Sequence, residues 1–498
     1  MSSIARSALW VTISEIIFNL SGFIIHSVLG RILGPGDYGR YSLIITLTTM
    51  VIILIGNGIP TAMAKYISEI FETDPKMVAA IKKKAIVLQS AVIGAITLIF
   101  FFSAPLIAKA LNDETLTPLF RLSTLIIPAF AGASFYFSYF TGLHRFNLQA
   151  TLKTFRSFLR IGFVIALAYF FGVKGSIIGY VLAPAAIFFA AYAIDKFKVT
   201  PELKANEKRI NADIGSDSST ISFDWRVLIN YAWKIVVFFL AYELLISIDL
   251  YMVKGILQND ALTGIYNSAL TVGRIPYYLF YALTIFLLPM ISKASAQNKI
   301  EEAGRIITQA VRIMLLLLVP MIILLTVFSE QILRMLYGDR FLQGAFPMSI
   351  LVFGVGFLTV FYVLSFALNG AGKTKISMSI AFVGLLTNIM INYLLIPKYA
   401  LAGAAVATTT ASFVSMLLII FYLSKDFKIS VSAANLLKVG FSGALMYAVG
   451  SALPGGNSIF IFWSLILTLG YFGLLKIFGE ITEEDLGMFK KVLNRNKA

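Results

Sequence analysis

The stretch Gly39-Arg40-Tyr41-Ser42 returns later in the chain as Gly264-Ile265-Tyr266-Asn267. Three further matches follow at nearly the same offset, and each segment around these landmarks is almost wholly apolar. Four ordered matches predict a duplicated, membrane-embedded unit, and such repeats are typical of transporters whose substrate path lies between the copies. The other three matches pair Gly142 with Gly370, Gly175 with Gly403, and Pro60 with Pro289.

The composition predicts that the chain folds in a lipid bilayer. Of its 498 residues, 58% are hydrophobic and 13% are charged, whereas an average soluble domain has about 25% charged residues. Repeated runs of about 20 apolar residues are long enough to span the hydrocarbon core as helices. The sequence therefore predicts an all-α integral membrane protein with about 14 transmembrane helices.

Several classes of chemistry are excluded or disfavoured by what the sequence lacks. It has no cysteine, which excludes disulfides, thiol catalysis and iron–sulfur ligation. His26 and His144 lie on separate segments and do not make a zinc site. No nucleotide-binding GxxxxGK[ST] motif is present. No cofactor and no metal are expected.

Lysine and arginine residues set the predicted orientation. Most of the 41 fall in the loops and termini of one side, including the cluster Lys82-Lys83-Lys84. The positive-inside rule places both termini in the cytoplasm and the protein in the cell membrane. The net charge of +16 is thus a topology signal, and no nucleic-acid partner is expected.

The repeat predicts how the chain is divided. Residues 1–194 and 226–423 form two six-helix lobes, joined by a polar cytoplasmic linker at 195–225. An even number of spans gives both copies the same orientation, so their pseudo-two-fold axis lies along the membrane normal. Residues 424–498 add a helical hairpin and a cytoplasmic tail. The predicted external loops are too short to hold an extracytoplasmic catalytic domain.

Ionisable side chains inside the predicted spans are the main functional candidates, because each costs about 2.5–3.5 kcal/mol at the membrane centre. Glu243 and Arg274 lie at equal depth, which fits either a structural ion pair or a functional cavity charge. Lys234 and Glu15 could meet across the two copies, or Lys234 could snorkel to the interface. Asp249 could bind a cation or proton, or could cap a network near the outer surface. Glu15, Glu243 and Asp249 are the candidates for ion coupling.

Other polar and proline residues have two open interpretations each. Asn19 and Asn267 either bond between helices or contact substrate. Pro60 and Pro276 lie beside the candidate cavity residues and are predicted hinges, and the alternative is plain bending of their spans. Arg156 and Arg160 lie one turn apart near the inner end of a span. The favoured interpretation is snorkelling toward lipid headgroups, and the alternative is phosphate binding.

Several motifs resemble those of a known family. "LGRILGPGDYGRYSL" (29–43) with "GNGIPTAMAKYISE" (56–69) resembles the opening of polysaccharide-transporter flippases of the O-antigen-unit (Wzx) type. "IDLYMVKGIL" (248–257), "TGIYNSAL" (263–270) and "FLLPMIS" (286–292) resemble the start of their second half. "LNGAGKTK" and "ALAGAAVAT" resemble two later landmarks. The family belongs to the multidrug/oligosaccharidyl-lipid/polysaccharide exporter superfamily.

The resemblance implies two six-helix lobes around a central cavity that opens alternately to either side. It implies a substrate that is a polyprenyl-(di)phosphate-linked saccharide and a cationic cavity that suits its phosphate. Arg274 best fits the phosphate contact, with Lys234 second. Glu15 is acidic and Arg31 and Arg40 are peripheral, which argues against a strongly cationic first lobe.

The resulting functional hypothesis is a flippase for lipid-linked oligosaccharides that acts in cell-surface polysaccharide or glycan assembly and is not an enzyme. Its expected partners are the saccharide lipid, the bilayer, a coupling proton or Na⁺, and polysaccharide-assembly proteins. A monomer is expected from an internally paired fold. The alternative hypothesis is a cation-coupled multidrug exporter of the same superfamily. A membrane enzyme acting on lipid-linked sugars is a third and weaker hypothesis.

Overall fold

The computed structural model describes residues 3–56, 58–71, 74–205, 226–428, 432–453 and 459–481, and these residues form helices and short connections without a strand. The chain divides into two compact units, residues 1–267 and 268–498. Eight of the helical segments are long and apolar enough to cross a membrane, and some contain two predicted spans. The predicted all-α membrane fold is therefore confirmed, with a helix count that roughly agrees.

The first unit consists of six helices from the first repeat together with the beginning of the second. A 3₁₀ turn at Glu114–Leu116 precedes α4, and a π-helical turn at Asp195–Val199 follows α6. Helix α7 packs on α1 and α2, which is why it groups with the first unit. The helices are α1 Ser3–Gly56, α2 Ile59–Ile70, α3 Pro75–Ala110, α4 Thr117–Ser123, α5 Ile126–Gly142, α6 Phe146–Ile194 and α7 Arg226–Leu257.

Helix α8, Asp260–Gly273, crosses the boundary at Asn267, and the second unit contains the helices that follow it. The last two helices of the second unit, α14 and α15, form the appended hairpin that the sequence predicts. They pack on the end of α10 through Phe328, Met446 and Tyr471. The remaining helices are α9 Ile275–Ala296, α10 Ile300–Val327, α11 Ser329–Tyr337, α12 Ala345–Gly370, α13 Thr374–Asp426, α14 Ala433–Ala452 and α15 Ile459–Ile477.

The structure places the linker and the unit boundary differently from the sequence prediction. The chain stays helical through residue 205, well into the predicted linker, because the π turn continues α6 instead of ending it. Residues 206–225 lie outside the described residues. The compact units divide at 267 rather than within 195–225, since the packing of α7 outweighs its place in the repeat.

Three helices contain a sharp reversal at one residue with positive φ. The reversals lie at Gly34 (φ 74°) in α1, Gly172 (φ 58°) in α6 and Ala400 (φ 47°) in α13. Gly172 and Ala400 are separated by the same offset as Gly175 and Gly403, and they have similar ψ angles of −138° and −126°. The same turn thus occurs twice in the chain. Gly172 is a residue type that tolerates positive φ, whereas Ala400 is not.

Replacing Ala400 with glycine is expected to raise the free energy of unfolding by about 1 kcal/mol, because relief of backbone strain of about 1–3 kcal/mol exceeds the extra entropy that glycine loses, about 0.5–1 kcal/mol. Unfolding in detergent measures the difference. The control Ala404→Gly, at a buried helical site, should instead lower stability, and equal losses for both variants would contradict the strain argument.

Close helix packing is also repeated in the two units. A side chain at Gly175 would overlap the carbonyl oxygen of Leu167, and one at Gly403 would meet the carbonyl oxygen of Leu395. Both pairs join the two arms of a reversal, and the leucines are separated by the same offset as the glycines. Each glycine therefore allows its two arms to pack backbone to backbone.

A second repeated contact corrects one of the four sequence matches. A Cβ at Gly142 would lie 3.1 Å from Ile67, and one at Gly370 would lie 3.2 Å from Ile291. The match between the two glycines is therefore supported by equivalent packing. The two isoleucines, however, are closer together in the chain than the two glycines by about one helical turn.

If Ile67 is equivalent to Ile291, the same offset makes Pro60 equivalent to Thr284 and not to Pro289. The predicted match between the two prolines was therefore displaced by more than one helical turn. A proline in an apolar run constrains only the local backbone, so it identifies a register less well than a glycine that must fit against a neighbouring helix.

The opening repeat motif lies at a reciprocal contact inside the first unit. A Cβ at Gly39 would overlap the carbonyl oxygen of Asp260, and one at Gly264 would overlap the carbonyl oxygen of Pro35. Pro35 lies one helical turn before Gly39 in the first repeat, and Asp260 lies one turn before Gly264 in the second. Contacts that are reciprocal in this way are isologous, as at a two-fold axis, so the pairs 35/39 and 260/264 have a local two-fold relation.

Candidate functional site

Three basic side chains form a ladder along one face of α6. Lys153, Arg156 and Arg160 follow each other at spacings of three and four positions, which places them on one side of a helix. At 1.5 Å per residue, Arg160 lies about 21 Å along the axis from Phe146, where α6 begins. This basic ladder therefore extends from the predicted cytoplasmic end of α6 toward the middle of the membrane.

The two arginines of the basic ladder are buried among aromatic rings of neighbouring helices. Arg156 is 3% exposed, and its guanidinium lies 4.8 Å from the ring of Phe18, 4.5 Å from Phe130 and 4.8 Å from Phe137. Phe18 comes from α1 and the other two from α5. Cation–π contacts of this kind position a cation while leaving its N–H groups available.

Arg160 is held by α1. It is 6% exposed, and its Nη2 donates to the carbonyl oxygen of Phe18 at 2.8 Å and also to the hydroxyl of Ser21. Its guanidinium lies 4.3 Å from the Phe18 ring. Nη1 also donates to the Tyr180 hydroxyl at 3.5 Å. These three neutral acceptors orient the group without neutralising its charge.

The basic ladder carries more positive charge than its surroundings balance. Lys153 pairs with Glu15 of α1, which is the only carboxylate that the described residues bring into an ion pair with the ladder. Nε and Nη1 of Arg156 and Nε of Arg160 are buried and have no hydrogen-bond partner among the described residues. Buried guanidinium groups are normally paired, so the arrangement is suited to an anion with several oxygen acceptors.

This geometry corrects two expectations from the sequence. The prediction that Arg156 and Arg160 snorkel toward headgroups was wrong, because their face of α6 is covered by α1 and α5. The first lobe is also more cationic than Glu15, Arg31 and Arg40 suggest. The charge comes from α6 and not from the first two spans.

A second charged cluster connects the loop ends on the predicted outer side of the first unit. Lys254 is 2% exposed and pairs with Asp113 at 2.7 Å and with Asp260 at 2.5 Å. The other oxygen of Asp260 accepts from Arg40 at 2.7 Å. These four residues, the loop network, tie α1, α7 and α8 to the end of α3 beside the Gly39–Gly264 contact.

Asp113 makes the loop network sensitive to acid. Burial raises the pKa of Asp113, but hydrogen bonds from Lys254 and Thr115 together lower it below its usual value of 3.8. A depressed pKa means that the carboxylate stabilises the folded state above about pH 4, and that this stabilisation is lost as the pH falls through the depressed value.

The melting-temperature difference between wild type and Asp113→Asn is therefore expected to be largest near neutral pH and to shrink below about pH 4. Thermal unfolding in detergent across this range measures it. Glu114→Gln, at an exposed neighbour without an ion pair among the described residues, is the control. A difference that stays constant with pH would rule out the charged form of Asp113 as its source.

The predicted site residues of the first unit lie in separate environments. Asn267 donates from Nδ2 to the Tyr38 hydroxyl at 2.9 Å, and His26 Nδ1 lies 3.0 Å from the same oxygen. Asp249 is fully buried and accepts from the Tyr266 hydroxyl at 2.8 Å. Asn267 thus connects α8 to α1, and Asp249 connects α7 to α8.

The remaining candidate residues lie on α1, α7 and α9. Glu15 contacts Lys153, and Asn19 is half-buried on α1 beside Phe18. Glu243 lies half-buried on α7 in the first unit, whereas Arg274 is half-buried at the N-terminus of α9 in the second. The side chain of Lys234 lies outside the described residues.

Both predicted hinge prolines lie in the first turn of a helix. Pro60 lies in the first turn of α2, directly after the break between α1 and α2. Pro276 lies in the first turn of α9, directly after α8 ends at Gly273. Proline suits a first helical turn because its missing N–H is not needed there. Their role as hinges stays a prediction.

The fold is shared with solved transporters. The structure described as lipid II flippase MurJ in an inward closed conformation matches with a TM-score of 0.75 at 17% identity, covering 94% of this chain and 98% of that one. A mutant of the Vibrio cholerae MATE transporter VcmN matches with a TM-score of 0.60 at 18% identity, covering 85% and 97%. Both likenesses concern the fold.

Relatives found by sequence cover the chain to different extents. Stage V sporulation protein B of Bacillus subtilis is 24% identical over 97% of this chain and 96% of its own length. The probable low-salt glycan biosynthesis flippase Agl15 of Haloferax volcanii is 23% identical over 46% of this chain and 48% of its own. A MatE family model matches residues 235–394.

A family model described as "Polysaccharide biosynthesis protein" matches residues 4–295, more than half of the chain. This match agrees with the motifs at 29–43 and 56–69 and with the exporter fold. The chain belongs to the polysaccharide biosynthesis protein family, within the superfamily of multidrug, oligosaccharidyl-lipid and polysaccharide exporters.

Proposed function

We propose that this protein moves a polyprenyl-(di)phosphate-linked oligosaccharide across the cell membrane by alternating access, for the assembly of a surface polysaccharide or glycan. The observation that carries the proposal is the basic ladder of Lys153, Arg156 and Arg160, whose two arginines are buried and lack a balancing anion among the described residues. Relatives whose names describe glycan or lipid II flippases support the same class of substrate.

The basic ladder has the chemistry that a diphosphate needs. Guanidinium groups present N–H donors in a fixed plane that matches phosphate oxygens. The rings of Phe18, Phe130 and Phe137 hold the Arg156 guanidinium in place before substrate arrives, which lowers the entropy lost on binding. Arg274, in the other unit, is proposed as a further phosphate contact, as the family resemblance suggests.

Glu15 is proposed to act as the internal counter-ion of the basic ladder. Glu15 forms an ion pair with Lys153 in this structure, and an incoming phosphate would compete with Glu15 for the Lys153 ammonium. Exchange between a carboxylate and a phosphate keeps a cation paired at each stage, which limits the free energy lost when substrate leaves.

Transport is proposed to draw on a proton or Na⁺ gradient. Asp249 is the carboxylate best placed for this among the sequence candidates, because it is buried and accepts hydrogen bonds from two neutral donors, the Tyr266 hydroxyl and the Leu250 N–H. Asp249→Asn should then reduce gradient-driven transport while leaving downhill exchange intact. Undiminished flipping after every ion gradient is collapsed would remove the coupling hypothesis.

Reconstitution into proteoliposomes tests the proposed function. A fluorescent polyprenyl-diphosphate saccharide is incorporated, and its protection from a membrane-impermeant quencher is followed with and without an imposed gradient. Protein-dependent movement of the labelled lipid supports the proposal. Absence of movement across several glycans by folded protein would contradict it.

The MatE match over residues 235–394 favours one alternative, a cation-coupled multidrug exporter. Such a transporter expels amphipathic cations and has no use for a buried basic ladder, which would repel them. Gradient-driven efflux of a cationic dye, sensitive to Glu243→Gln and indifferent to Arg156→Gln, would support the alternative. We propose transport and not catalysis in either case, with a monomer as the active unit and both termini in the cytoplasm.

A further inference from the structure

A separate basic pocket lies at the predicted cytoplasmic rim of the first unit. It is a cavity of about 290 Å³ between the start of α3 and the helical residues 200–205 that continue α6. It does not include any residue of the basic ladder. Its walls include Lys82, Lys83, Val87, Thr200, Leu203 and Lys204, and it is called the rim pocket below.

The π-helical turn at Asp195–Val199 leads directly into residues 200–205, which line the rim pocket together with α3. Such turns insert an extra residue into a helix and are frequent at functional sites. Asp195 is buried at 4% exposure and accepts hydrogen bonds from Lys82 and from the Thr200 hydroxyl. The Lys82 ammonium also lies 4.3 Å from the Tyr139 ring. One lysine of the rim pocket is therefore fixed and neutralised by the fold.

The other two lysines of the rim pocket differ from Lys82 in their surroundings. Lys83 and Lys204 are exposed, and neither makes an ion pair within the part of the chain that the structure describes. They come from two different helical segments and line one cavity. Two ammonium groups that converge without a carboxylate favour a ligand with an anionic group.

Part of the wall that α3 contributes to the rim pocket is apolar and exposed. Ile86 is 40% exposed and Val87 is 61% exposed, and both follow the lysines by one turn of α3. From there α3 continues into the apolar segment that spans the membrane. The rim pocket thus has cationic groups at the predicted membrane surface and apolar side chains just inside it.

We propose that the rim pocket binds an anionic membrane phospholipid. Its phosphate would lie between Lys83 and Lys204, and the upper part of an acyl chain would cover Ile86 and Val87. This inference does not depend on the proposed transport substrate, because the pocket and the basic ladder share no residue. A free phosphate would satisfy the lysines but leave the apolar wall uncovered, which is why the lipid is favoured.

Nanodiscs made of phosphatidylcholine alone, or doped with phosphatidylglycerol, provide the test. The readouts are the melting temperature and the number of phosphatidylglycerol molecules that native mass spectrometry finds retained on the protein. Wild type is expected to melt higher in the doped discs and to retain at least one such lipid. Lys83→Gln with Lys204→Gln should lose both effects, and arginine at both positions should preserve them.

A matched control separates the rim pocket from general surface charge. Lys84→Gln with Lys196→Gln removes one exposed lysine of α3 and one of the π turn that precedes residues 200–205, and neither lines the cavity. The proposal expects this variant to behave as wild type. Equal losses in both double variants would overturn the proposal. Stabilisation by inorganic phosphate or glycerol 3-phosphate to the same extent as by the lipid would reassign the pocket to a free anion and overturn it as well.

Discussion

Replacing Gly264 with alanine is expected to destabilise the first unit strongly, by about 3 kcal/mol. The added methyl group would overlap the carbonyl oxygen of Pro35, and a backbone atom cannot rotate away as a flexible side chain can. Helices α1 and α8 would have to separate, which would also stretch the bond from Arg40 to Asp260. Gly39→Ala should have the same effect, because the contact is reciprocal. The measurement is thermal unfolding in detergent or nanodiscs.

Gly36→Ala is the matched control, because it lies on the same helix as Gly39 and a Cβ there would meet no atom within 4 Å. Its free energy of unfolding should stay constant or rise by up to about 1 kcal/mol, because alanine loses less backbone entropy than glycine in a helix. Similar stabilities for Gly36→Ala and Gly264→Ala would show that α1 and α8 do not pack as closely as described here.

Arg156→Gln is expected to reduce the rate of lipid-linked saccharide flipping by between about tenfold and a hundredfold. Hydrogen bonds to a charged group contribute about 1.5–3 kcal/mol, and each 1.4 kcal/mol corresponds to a factor of about ten. The same substitution removes a buried cation without a balancing anion among the described residues. The melting temperature should therefore stay constant or rise while transport falls.

A fall in transport without a fall in melting temperature distinguishes a substrate contact from a structural residue. Replacing a purely structural arginine would lower the stability and the transport rate together. Lys174→Gln provides the control, because Lys174 lies on the same helix and is exposed. Unchanged flipping by a folded Arg156→Gln variant would remove the basic ladder from the transport path.

The repeat pattern predicted much of the fold. Glycines recur at a constant offset because Gly175 and Gly403 fit against equivalent backbone atoms, so the sequence match reflects a packing requirement. The membrane spans follow from apolar length alone. The register of α9 was less accessible, since Pro289 offered a local match that the packing of Ile291 does not support.

The candidate site was harder to predict. The sequence shows that Arg156 and Arg160 share a helix face, but it cannot show which neighbouring helices cover that face. Phe18, Phe130 and Phe137 come from two other helices and are ordinary apolar residues in a sequence of this composition. The charges near the end of a span fit snorkelling equally well until those rings are placed.

The loop network shows the same limit. Arg40 and Asp260 are far apart in the chain, and each alone fits a solvated loop residue. Only the crossing of α1 and α8 at Gly39 and Gly264 brings them together. The glycine match at this crossing was visible in the sequence, so a search for charges beside repeated glycines would have found the pair.

The basic ladder is proposed to bind the phosphate groups of the transported lipid. The most direct measurement is an equilibrium titration of the detergent-solubilised protein with a short polyprenyl diphosphate and, separately, with the uncharged polyprenol. Wild type is predicted to bind the diphosphate well and the alcohol weakly, and Arg156→Gln with Arg160→Gln is predicted to lose that preference. Equal binding of the diphosphate by wild type and the folded double variant would contradict the account.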